Sequence, residues 1–414
     1  MTKLLSALAG AVALAAVTAT TGFAQVKIAF IDPLSGPFAA TGEDGLSQFR
    51  FTADRLVNEK GGVLGGQKFE IVPFDNKISP KESLIQLQVA IDQGIRYIAQ
   101  GNSSGVANAL TEAIKKHNRR NPDSKVLFLN YSAVDPALTN DKCQFYHFRF
   151  DANADIKMDA LTDVIAENQD VKKIYLIGQD YSFGKAVANA AVKMLGEKRA
   201  DIEIVGNELH PIGKVQDFTP YARKIMGSGA DAVITGNWGS DMVGLGKALI
   251  EAGYKKPLYT YYAAAQGITE TFGDDGIGIV KIVGEGKMNP PESDELVQFV
   301  KDFKAKYPNE DFAQPRVVNV IGMLAKAIEE AGSADDVDAV AKALEGMEYE
   351  NMWGGKVMMR PQDHQLIQDV HIQAHAKEGV INDLDNSGYG LVTEKTIENA
   401  SADIATTCEM DRPE

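Results

Sequence analysis

Residues 26–45 read VKIAFIDPLSGPFAATGEDG, and this stretch decides the fold class. Val26, Ile28 and Phe30 are apolar at every second position, which indicates a β-strand. Two proline-containing dipeptides interrupt the strand, and a helical pattern begins at Gly42. A strand, a loop of small residues and a helix N-terminus, in this order, present free backbone N–H groups. The stretch therefore predicts a site for a small anion or polar group at the carboxyl end of a first strand.

Strands and helices continue to alternate down the chain. Apolar runs that indicate further strands lie at residues 69–74, 97–99 and 126–129. Helical patterns separate them, and the order βαβαβαβ is typical of a parallel sheet with helices on both faces. The same order starts again at residue 174 and runs to residue 261. The sequence thus predicts an α/β protein with two doubly wound, Rossmann-like lobes.

Later elements are expected to connect the two lobes more than once. Helical patterns at residues 295–306 and 317–331 should return the chain to the first lobe, and strands near 354–359 and 370–376 should return it to the second. Several crossings would make a hinge that keeps the faces of the lobes opposed. The predicted units are a segment outside the fold at 1–24, a first lobe of 26–149 plus 280–346, a second lobe of 150–279 plus 347–395, and a C-terminal tail of 396–414.

The first 24 residues have the pattern of a secretory signal peptide. Lys3 precedes an apolar run, and Gly22 and Ala24 are the small residues that a signal peptidase requires. We expect cleavage after Ala24 and a mature protein in the periplasm. No cysteine follows the apolar run, so no lipid anchor is predicted, and no later segment reaches 18 consecutive apolar residues.

Composition excludes one class of partner. The 414 residues are 44% hydrophobic and 24% charged, which is ordinary for a globular protein. The formal net charge is −15, and nucleic acid binding needs clustered Lys and Arg instead. The acidic residues are dispersed, so we interpret them as a solvated surface.

The chain contains two cysteines, Cys143 and Cys408. An even count in an oxidising compartment favours a disulfide, which would hold the C-terminal tail against the loop after the first lobe. Two unpaired thiols are the alternative.

Signals for chemistry are weak. Tyr181 and Lys185 have the Y-x-x-x-K spacing of short-chain dehydrogenases, but Pro37 and Phe38 stand where a dinucleotide loop requires glycine. No G-x-S-x-G, P-loop or H-E-x-x-H sequence occurs. We therefore predict no enzyme activity and no cofactor, with an NAD-dependent dehydrogenase as a remote alternative.

Two segments could suggest a metal. Residues 383–394 have the ligand spacing of a calcium loop, although a glycine-rich turn has the same composition. His371 and His375 are four residues apart in a predicted strand, which separates their side chains too far for a shared metal. No metal ligand is therefore assigned, and calcium at 383–394 is left open.

Five segments carry a resemblance to a known family. IDPLSGPFAATGEDG is followed, in order and at matching spacings, by GNSSG at 101–105, NYSAVDPALT at 130–139, GQDYSFGKAVANAA at 178–191 and TGNWGSDMVGLGKALIEAG at 235–253. With the signal peptide, they resemble a periplasmic solute-binding protein of the leucine/isoleucine/valine-binding type, which serves the branched-chain amino-acid ABC importers. The resemblance spans nearly the whole mature chain and implies a type I periplasmic binding protein fold.

The resemblance implies a ligand in the cleft between the lobes. Two segments of the first lobe match the family's carboxylate-binding loops, where Val134 replaces the usual Thr. The second lobe supplies a tyrosine and a second aromatic residue, and the loop after its last predicted strand supplies further contacts. The implied contacts are Asn102, Ser103, Ser104, Ser132, Ala133, Val134, Tyr181, Trp238, Tyr262 and Gln266.

Each implied contact has a structural alternative. Ser103 and Ser104 could only cap the following helix, and Tyr181 and Trp238 could be packing within the lobe. The acid that usually pairs with a ligand ammonium falls near Tyr262, where no Asp or Glu stands. A buried ammonium without an anion is costly, so a neutral, amide-like or aromatic carboxylate ligand is as compatible as an amino acid.

The predicted function follows from these points. We expect a monomeric, extracytoplasmic substrate-binding protein that closes around a small carboxylate or amino-acid-like solute and delivers it to the membrane permease of an ABC importer. A ligand sensor for a membrane receptor is the alternative, because capture and closure are identical in both.

Overall fold

A computed structural model describes residues 25–400 and 404–413. The predicted signal peptide at 1–24 lies outside the described residues. The described chain forms two α/β lobes, each built on its own β-sheet. The predicted fold class is confirmed.

The first lobe is built on a five-stranded sheet with the order β2-β1-β3-β4-β5. All neighbouring strands in this sheet are parallel. Strand β1 has β2 on one side and β3 on the other, so the direction of winding reverses beside it, and ligands bind at such a point in open α/β sheets. The strands are β1 (Val26–Asp32), β2 (Phe69–Asp75), β3 (Tyr97–Gln100), β4 (Leu127–Asn130) and β5 (His147–Arg149).

Helices connect these strands on both faces of the sheet. They are α1 (Ala39–Ala53), continued by a π-helical turn (Asp54–Asn58), α2 (Pro80–Asp92) and α3 (Ser104–Arg120), with 3-10 turns at Pro122–Ser124 and Pro136–Thr139. Helix α1 begins three residues before the predicted start at Gly42. A side chain is impossible at Gly42, because a Cβ there would lie 1.7 Å from the Pro33 carbonyl oxygen. The glycine therefore allows the helix to pack directly on the end of β1.

The second lobe repeats this arrangement. Its parallel strands are β6 (Lys173–Gln179), β7 (Glu203–His210), β8 (Ala232–Thr235), β9 (Leu258–Thr260) and β10 (Val280–Gly284). Its helices are α4 (Ala154–Glu167), α5 (Ser182–Lys198), α6 (Thr219–Gly227), α7 (Gly239–Glu251) and α8 (Ile268–Phe272), with a 3-10 turn at Gly273–Gly276. Apolar clusters cover both faces of the sheet, as they do in the first lobe.

The remaining elements are α9 (Asp294–Lys306), α10 (Arg316–Ala331), α11 (Val337–Leu344), β11 (Glu348–Glu350), β12 (Lys356–Met359), β13 (Leu366–Ala376) and β14 (Gly390–Ala400). The three helices pack in the core of the first lobe. Strand β13 pairs antiparallel with β10, and β14 pairs with β13. The three helices therefore lie in the first lobe and β13 joins the second sheet, as the sequence predicted. The predicted strand near 354–359 does not follow its prediction, because Val357 and Met359 of β12 are buried in the first-lobe core.

Three predicted boundaries differ from the structure. Residues 280–284, assigned to the first lobe, form β10 and pair with β9 in the second sheet. Met347 and Met359, assigned to the second lobe, are buried in the first-lobe core, and β13 makes the crossing. The predicted tail from 396 begins inside β14. Periodicity identified these elements, but the sheet that each one joins depends on contacts distant in sequence.

The C-terminal segment is attached to the first lobe. Cys143 and Cys408 form a disulfide with their Cα atoms 5.7 Å apart, as predicted. The Thr406 hydroxyl donates to the Thr139 carbonyl oxygen at 2.8 Å nearby. None of the helices in the described part of the chain has the length and apolar character needed to cross a lipid bilayer.

Candidate functional site

A cavity lies between the two lobes, at the carboxyl ends of strands from both sheets. All ten residues implied by the sequence line this one cavity, six of them from the first lobe and four from the second. They are Asn102, Ser103, Ser104, Ser132, Ala133, Val134, Tyr181, Trp238, Tyr262 and Gln266.

The first wall of the cavity is the corner between β3 and α3. Ser103 precedes α3 with a backbone φ of 80°, a value that is unfavourable for any residue other than glycine. Its hydroxyl has no hydrogen-bond partner among the described residues. The Ser104 hydroxyl accepts from the Asp135 backbone N–H at 3.2 Å, which leaves its own hydrogen for another acceptor. The first N–H groups of α3 have no partner within the helix, so the corner presents several donors to the cavity.

Asp32 lies fully buried beneath this corner. Its carboxylate accepts from the Asn102 N–H at 2.9 Å, from the Gly101 N–H at 3.2 Å and from the Tyr131 hydroxyl at 2.5 Å. Burial raises the pKa of Asp32 to about 7, although these three donors oppose the shift. The backbone N–H of Asn102 is therefore committed to Asp32, and its side-chain amide donates to the Tyr131 hydroxyl at 3.1 Å.

For the opening stretch at 26–45 the sequence predicts a binding site in the loop after β1, and the structure differs from this prediction. The loop at 33–38 does not line the cavity, because the Leu34 N–H donates to Asp75 and Phe38 packs against the second lobe. The stretch reaches the cavity through Thr41 in the first turn of α1 and Asp44 in the second. The hydrogen-bond donors lie in the corner between β3 and α3, which we call the donor corner, and not at the end of β1.

A second segment of the first lobe follows β4. Asn130 fixes its shape, since its side-chain amide accepts from the Ala133 N–H at 2.8 Å and donates to the Ala133 carbonyl at 2.9 Å. The Ser132 hydroxyl makes no hydrogen bond with any described residue. Val134 is buried against the second lobe's apolar cluster, so an apolar side chain replaces the hydroxyl that the family usually has there.

The second lobe forms an aromatic wall. The Trp238 indole N–H donates to the Tyr181 hydroxyl at 2.8 Å, so the Tyr181 hydroxyl hydrogen remains available for a ligand. Phe38 of the first lobe packs on Trp238 with ring centroids 4.3 Å apart, which closes this side of the cavity. Burial raises the pKa of Tyr181 well above its ordinary value.

These contacts bear on the dehydrogenase-like spacing. Lys185 is exposed and pairs with Asp180 at 3.1 Å, so its ammonium does not contact the Tyr181 hydroxyl. A dehydrogenase tyrosine needs a lowered pKa for proton transfer, and the shift of Tyr181 is in the opposite direction. The spacing therefore supports no catalytic role.

Sequence reasoning missed a buried group of charges at the base of the cavity. It consists of Asp151 before α4, Lys157 in α4, Glu285 after β10 and Arg316 at the start of α10. The Lys157 ammonium lies 2.8 Å from an Asp151 oxygen and contacts Glu285. The Arg316 guanidinium lies 2.9 Å from the other Glu285 oxygen and 3.8 Å from Asp151. We call these four residues the charge cluster.

Tyr262 completes this cluster. Its hydroxyl donates to Asp151 at 3.3 Å, and the Lys157 ammonium lies 4.7 Å from the centroid of its ring. Burial, with the charge of Glu285, raises the pKa of Asp151 to about 7. Burial opposes ionisation of Glu285 as well, but Lys157 and Arg316 hold its pKa below the ordinary value.

The resemblance implies an acidic residue near Tyr262. The acidic residues that line the cavity come instead from other segments of the chain. Glu285 stands between Gly284 and Gly286 at the carboxyl end of β10, which is where ligand residues are expected in such a sheet. The assignment of 280–346 to the first lobe concealed this signal. Asp44 of α1 also lines the cavity; burial and the charge of Glu310 raise its pKa well above its ordinary value.

Gln266 lies at the edge of the cavity and touches the opposite lobe. Its side-chain amide donates to the Asn309 carbonyl at 2.8 Å, between α9 and α10. It therefore contributes to the closed arrangement of the lobes as well as to the cavity wall.

In the candidate calcium loop at 383–394, the carboxylates of Asp383 and Asp385 already contact other protein groups. Lys304 contacts Asp383 at 2.9 Å, and Asp385 accepts from the backbone N–H groups of Gly267 and Thr269 at the start of α8. In the described residues, no three His, Cys, Asp or Glu side chains are grouped as a metal site would require. His371 bonds with the Thr396 hydroxyl and lies in β13, the strand predicted for it.

Comparison with known proteins identifies the family. A family model described as periplasmic binding protein matches residues 25–379. The Leu/Ile/Val-binding protein homolog 4 of Brucella melitensis biotype 1 is 32% identical over 404 residues, which cover 94% of this chain and 93% of the relative.

Solved structures with the same fold support this family. The closed conformation of a leucine-, isoleucine-, valine-, threonine- and alanine-binding protein from Brucella ovis is 30% identical, with a TM-score of 0.80 and coverage of 94% of this chain and all of the other. A solute-binding protein of an ABC transporter from Rhodopseudomonas palustris HaA2, solved with p-hydroxybenzoic acid, shares the fold at 20% identity, with a TM-score of 0.76 and coverage of 91% and 98%. The chain belongs to the periplasmic binding protein family.

Proposed function

We propose that this protein is the extracytoplasmic substrate-binding component of an ABC importer and that it captures a small solute with a carboxylate group. The observation that carries the proposal is the cavity between the lobes, where the donor corner of α3 faces the aromatic wall formed by Tyr181 and Trp238. The Brucella relatives whose names state binding of Leu, Ile and Val support the same class of solute.

The ligand carboxylate would be held by the first lobe. The Ser103 and Ser132 hydroxyls have no partner among the described residues, and they line the cavity beside the N-terminus of a 17-residue helix. Hydroxyl and backbone N–H donors at a helix N-terminus stabilise an anion. The strained backbone of Ser103 is consistent with a residue held in position for binding.

The second lobe would cover the ligand. Tyr181 can donate a hydrogen bond from its hydroxyl, while Trp238 and Tyr262 offer apolar faces. A ligand that contacts both lobes binds the closed form better than the open form and shifts the population toward closure. The solute is then released unchanged, and no residue of the cavity is given a catalytic role.

Export and delivery complete the proposal. Residues 1–24 would direct the chain to the periplasm and be removed after Ala24, and the mature protein would act as a monomer beside its permease. N-terminal sequencing of protein recovered from the periplasm tests the cleavage, and ligand uptake by vesicles containing the permease tests the delivery.

Calorimetric titration with small carboxylates, amino acids and their amides tests binding. We expect carboxylates to bind and the matching amides to bind about 100-fold more weakly, because the donor corner then loses its anion. Ser103→Ala should weaken carboxylate binding, whereas Ser228→Ala, which removes a hydroxyl far from the cavity at the end of α6, should not. Equal affinity for acid and amide would contradict the proposal.

A further inference from the structure

We infer that the site prefers carboxylates that lack an α-ammonium group, because the Lys157 ammonium already occupies the place where a ligand cation would be bound. This inference rests on the proposed function and names its substrate class. The preferred solutes are 2-oxo acids, 2-hydroxy acids or aromatic acids, and Lys157 determines the preference.

The first step is the position of Lys157. Its side chain is only 1% exposed, and its ammonium lies between an Asp151 oxygen, a Glu285 oxygen and the face of the Tyr262 ring. Carboxylates together with an aromatic face are the groups that bind a desolvated ammonium. The protein's own side chain thus fills a complete ammonium site at the base of the cavity.

The second step is the balance of charge. The charge cluster contains two cations and two acids, and each acid contacts both cations. Lys157, Arg316 and Glu285 line the cavity, so a ligand ammonium near Glu285 would meet two cations at the same time. Because a buried charge needs its own counter-charge, a third cation here is unfavourable.

The third step concerns Asp44, the other acid that lines the cavity. One of its oxygens already accepts from the side-chain amides of Gln48 at 2.6 Å and Gln314 at 3.3 Å. Glu310 and Asp311 lie close enough to disfavour its ionised form. Burial, together with these two acids, raises the pKa of Asp44, so this already hydrogen-bonded carboxyl group suits a ligand hydroxyl or carbonyl better than a ligand ammonium.

Matched ligands test the preference. Leucine, 2-hydroxy-4-methylpentanoate and 4-methyl-2-oxopentanoate share one side chain, and the hydroxy acid keeps the tetrahedral α-carbon while removing the ammonium. Phenylalanine, phenyllactate and phenylpyruvate form a second such series. In calorimetric titrations of the wild-type protein, we expect the hydroxy and oxo acids to bind about 100-fold more tightly than the amino acid of the better-bound series.

Two variants test the role of Lys157. Lys157→Met removes the cation but keeps the length of the side chain, so the ratio of hydroxy-acid to amino-acid affinity should fall at least tenfold. Glu285→Gln removes an acid, so the same ratio should rise. Lys185→Met, on the exposed face of α5, is the matched control and should leave the ratio unchanged. Circular dichroism and thermal melts identify any variant that does not fold. If Lys157→Met does not fold, the affinity ratio of Glu285→Gln, compared with that of the wild type, tests the role of Lys157.

The outcomes separate the inference from the proposed function. Amino acids that bind as tightly as their hydroxy and oxo analogues would overturn the inference and leave the proposed function in place. A ratio that stays constant in folded Lys157→Met and Glu285→Gln would overturn the role of Lys157. Loss of amino-acid binding in Asp44→Asn alone would place the ammonium at Asp44 and also overturn it. Failure of every member of both series to bind would overturn the inference together with the proposed carboxylate class.

Discussion

Phe38 of the first lobe packs on Trp238 of the second, with ring centroids 4.3 Å apart and ring planes inclined by 36°. The backbone of the second lobe makes room for this contact. Gly213 and Gly239 both have positive φ, and a Cβ on either one would lie 2.7 Å from the Phe38 ring. Since Trp238 also donates to Tyr181 in the cavity wall, the contact between lobes is connected directly to the ligand site.

Phe38→Ala should weaken ligand binding without lowering the stability of the ligand-free protein. The ring lies in the contact between the two lobes, so its loss should destabilise the closed form. We expect affinity to fall about fivefold, in line with roughly 1 kcal/mol for an aromatic pair. Calorimetric titration measures the affinity, and thermal melts without ligand measure stability.

Phe38→Leu is the matched variant, because it keeps an apolar contact and loses only the ring. Its affinity should lie between those of the wild type and Phe38→Ala. If the melting temperature of ligand-free Phe38→Ala fell as far as its affinity, Phe38 would be part of the lobe core and not a contact of closure.

Trp238→Ala should abolish most ligand-induced stabilisation. The side chain covers the ligand and orients the Tyr181 hydroxyl, so its truncation should weaken binding about 30- to 100-fold, as for an interface hot spot. At a ligand concentration that gives the wild type about 2.7 kcal/mol of stabilisation, the variant would gain about 0.4–0.9 kcal/mol. Thermal shift with and without ligand measures the difference.

Trp353 provides a control for the same measurement. It is one of the two tryptophans and is buried in the first-lobe core; it packs behind Gly286 of the cavity wall but does not itself line the cavity. Trp353→Phe should keep ligand-induced stabilisation and leave Trp238 as the single indole emitter. Ligand should then change the fluorescence of Trp353→Phe, and an unchanged emission spectrum would argue that Trp238 does not sense closure.

Much of the fold could be predicted because its signals are local. Alternation in Val26–Asp32 and the capping of α2 by Ser79 depend on residues close in sequence. The sheet that receives β10 could not be predicted, since β9 and β13 are its neighbours and β13 lies about ninety residues later in the chain. The errors at 280, 347 and 396 all have this origin.

In the candidate site too, some residues could be predicted from local signals and others could not. Ser103 and Trp238 each lie three residues after the end of a strand, so the rule that ligands bind at the carboxyl ends of strands locates them. The charge cluster combines Asp151, Lys157, Glu285 and Arg316 from four separate segments, and no spacing in the sequence connects them. Its prediction required knowledge of how the chain crosses between the lobes.

Removal of the disulfide should destabilise the protein without changing its ligand affinity. Cys143 and Cys408 are 265 residues apart, and a cross-link over a long loop restricts the unfolded chain. Cys143→Ser combined with Cys408→Ser should lower the free energy of unfolding by about 2–4 kcal/mol. Neither cysteine lines the cavity, so calorimetric affinity should stay within twofold. Reductant should reproduce the loss in the wild type and have no effect on the double variant; a reductant effect on that variant would contradict this assignment.

Asp32 should make the stability of the ligand-free protein depend on pH. The folded pKa is raised to about 7 by burial, from 3.8 for an ordinary aspartate. Between these values the folded state holds the proton and the unfolded state does not, so stability falls as pH rises toward 7. Ionisation of Asp32 should cost the wild type about 2–3 kcal/mol between pH 5 and pH 8, since one pKa unit corresponds to about 1.4 kcal/mol.

Asp32→Asn isolates this effect from other titrating groups. Burial lowers the pKa of His371 to about 4 and also lowers that of His147, and these histidines make stability rise with pH below 6.5, which is the opposite sign. They are present in both proteins, so they cancel when the unfolding free energy of Asp32→Asn is compared with that of the wild type in urea at each pH. The asparagine adds a constant offset where it meets the Asn102 N–H, but it does not titrate. The wild type should lose stability relative to the variant as pH rises from 5 to 8. If the difference in unfolding free energy between the two proteins stayed constant over that range, Asp32 would be ionised throughout beneath the donor corner.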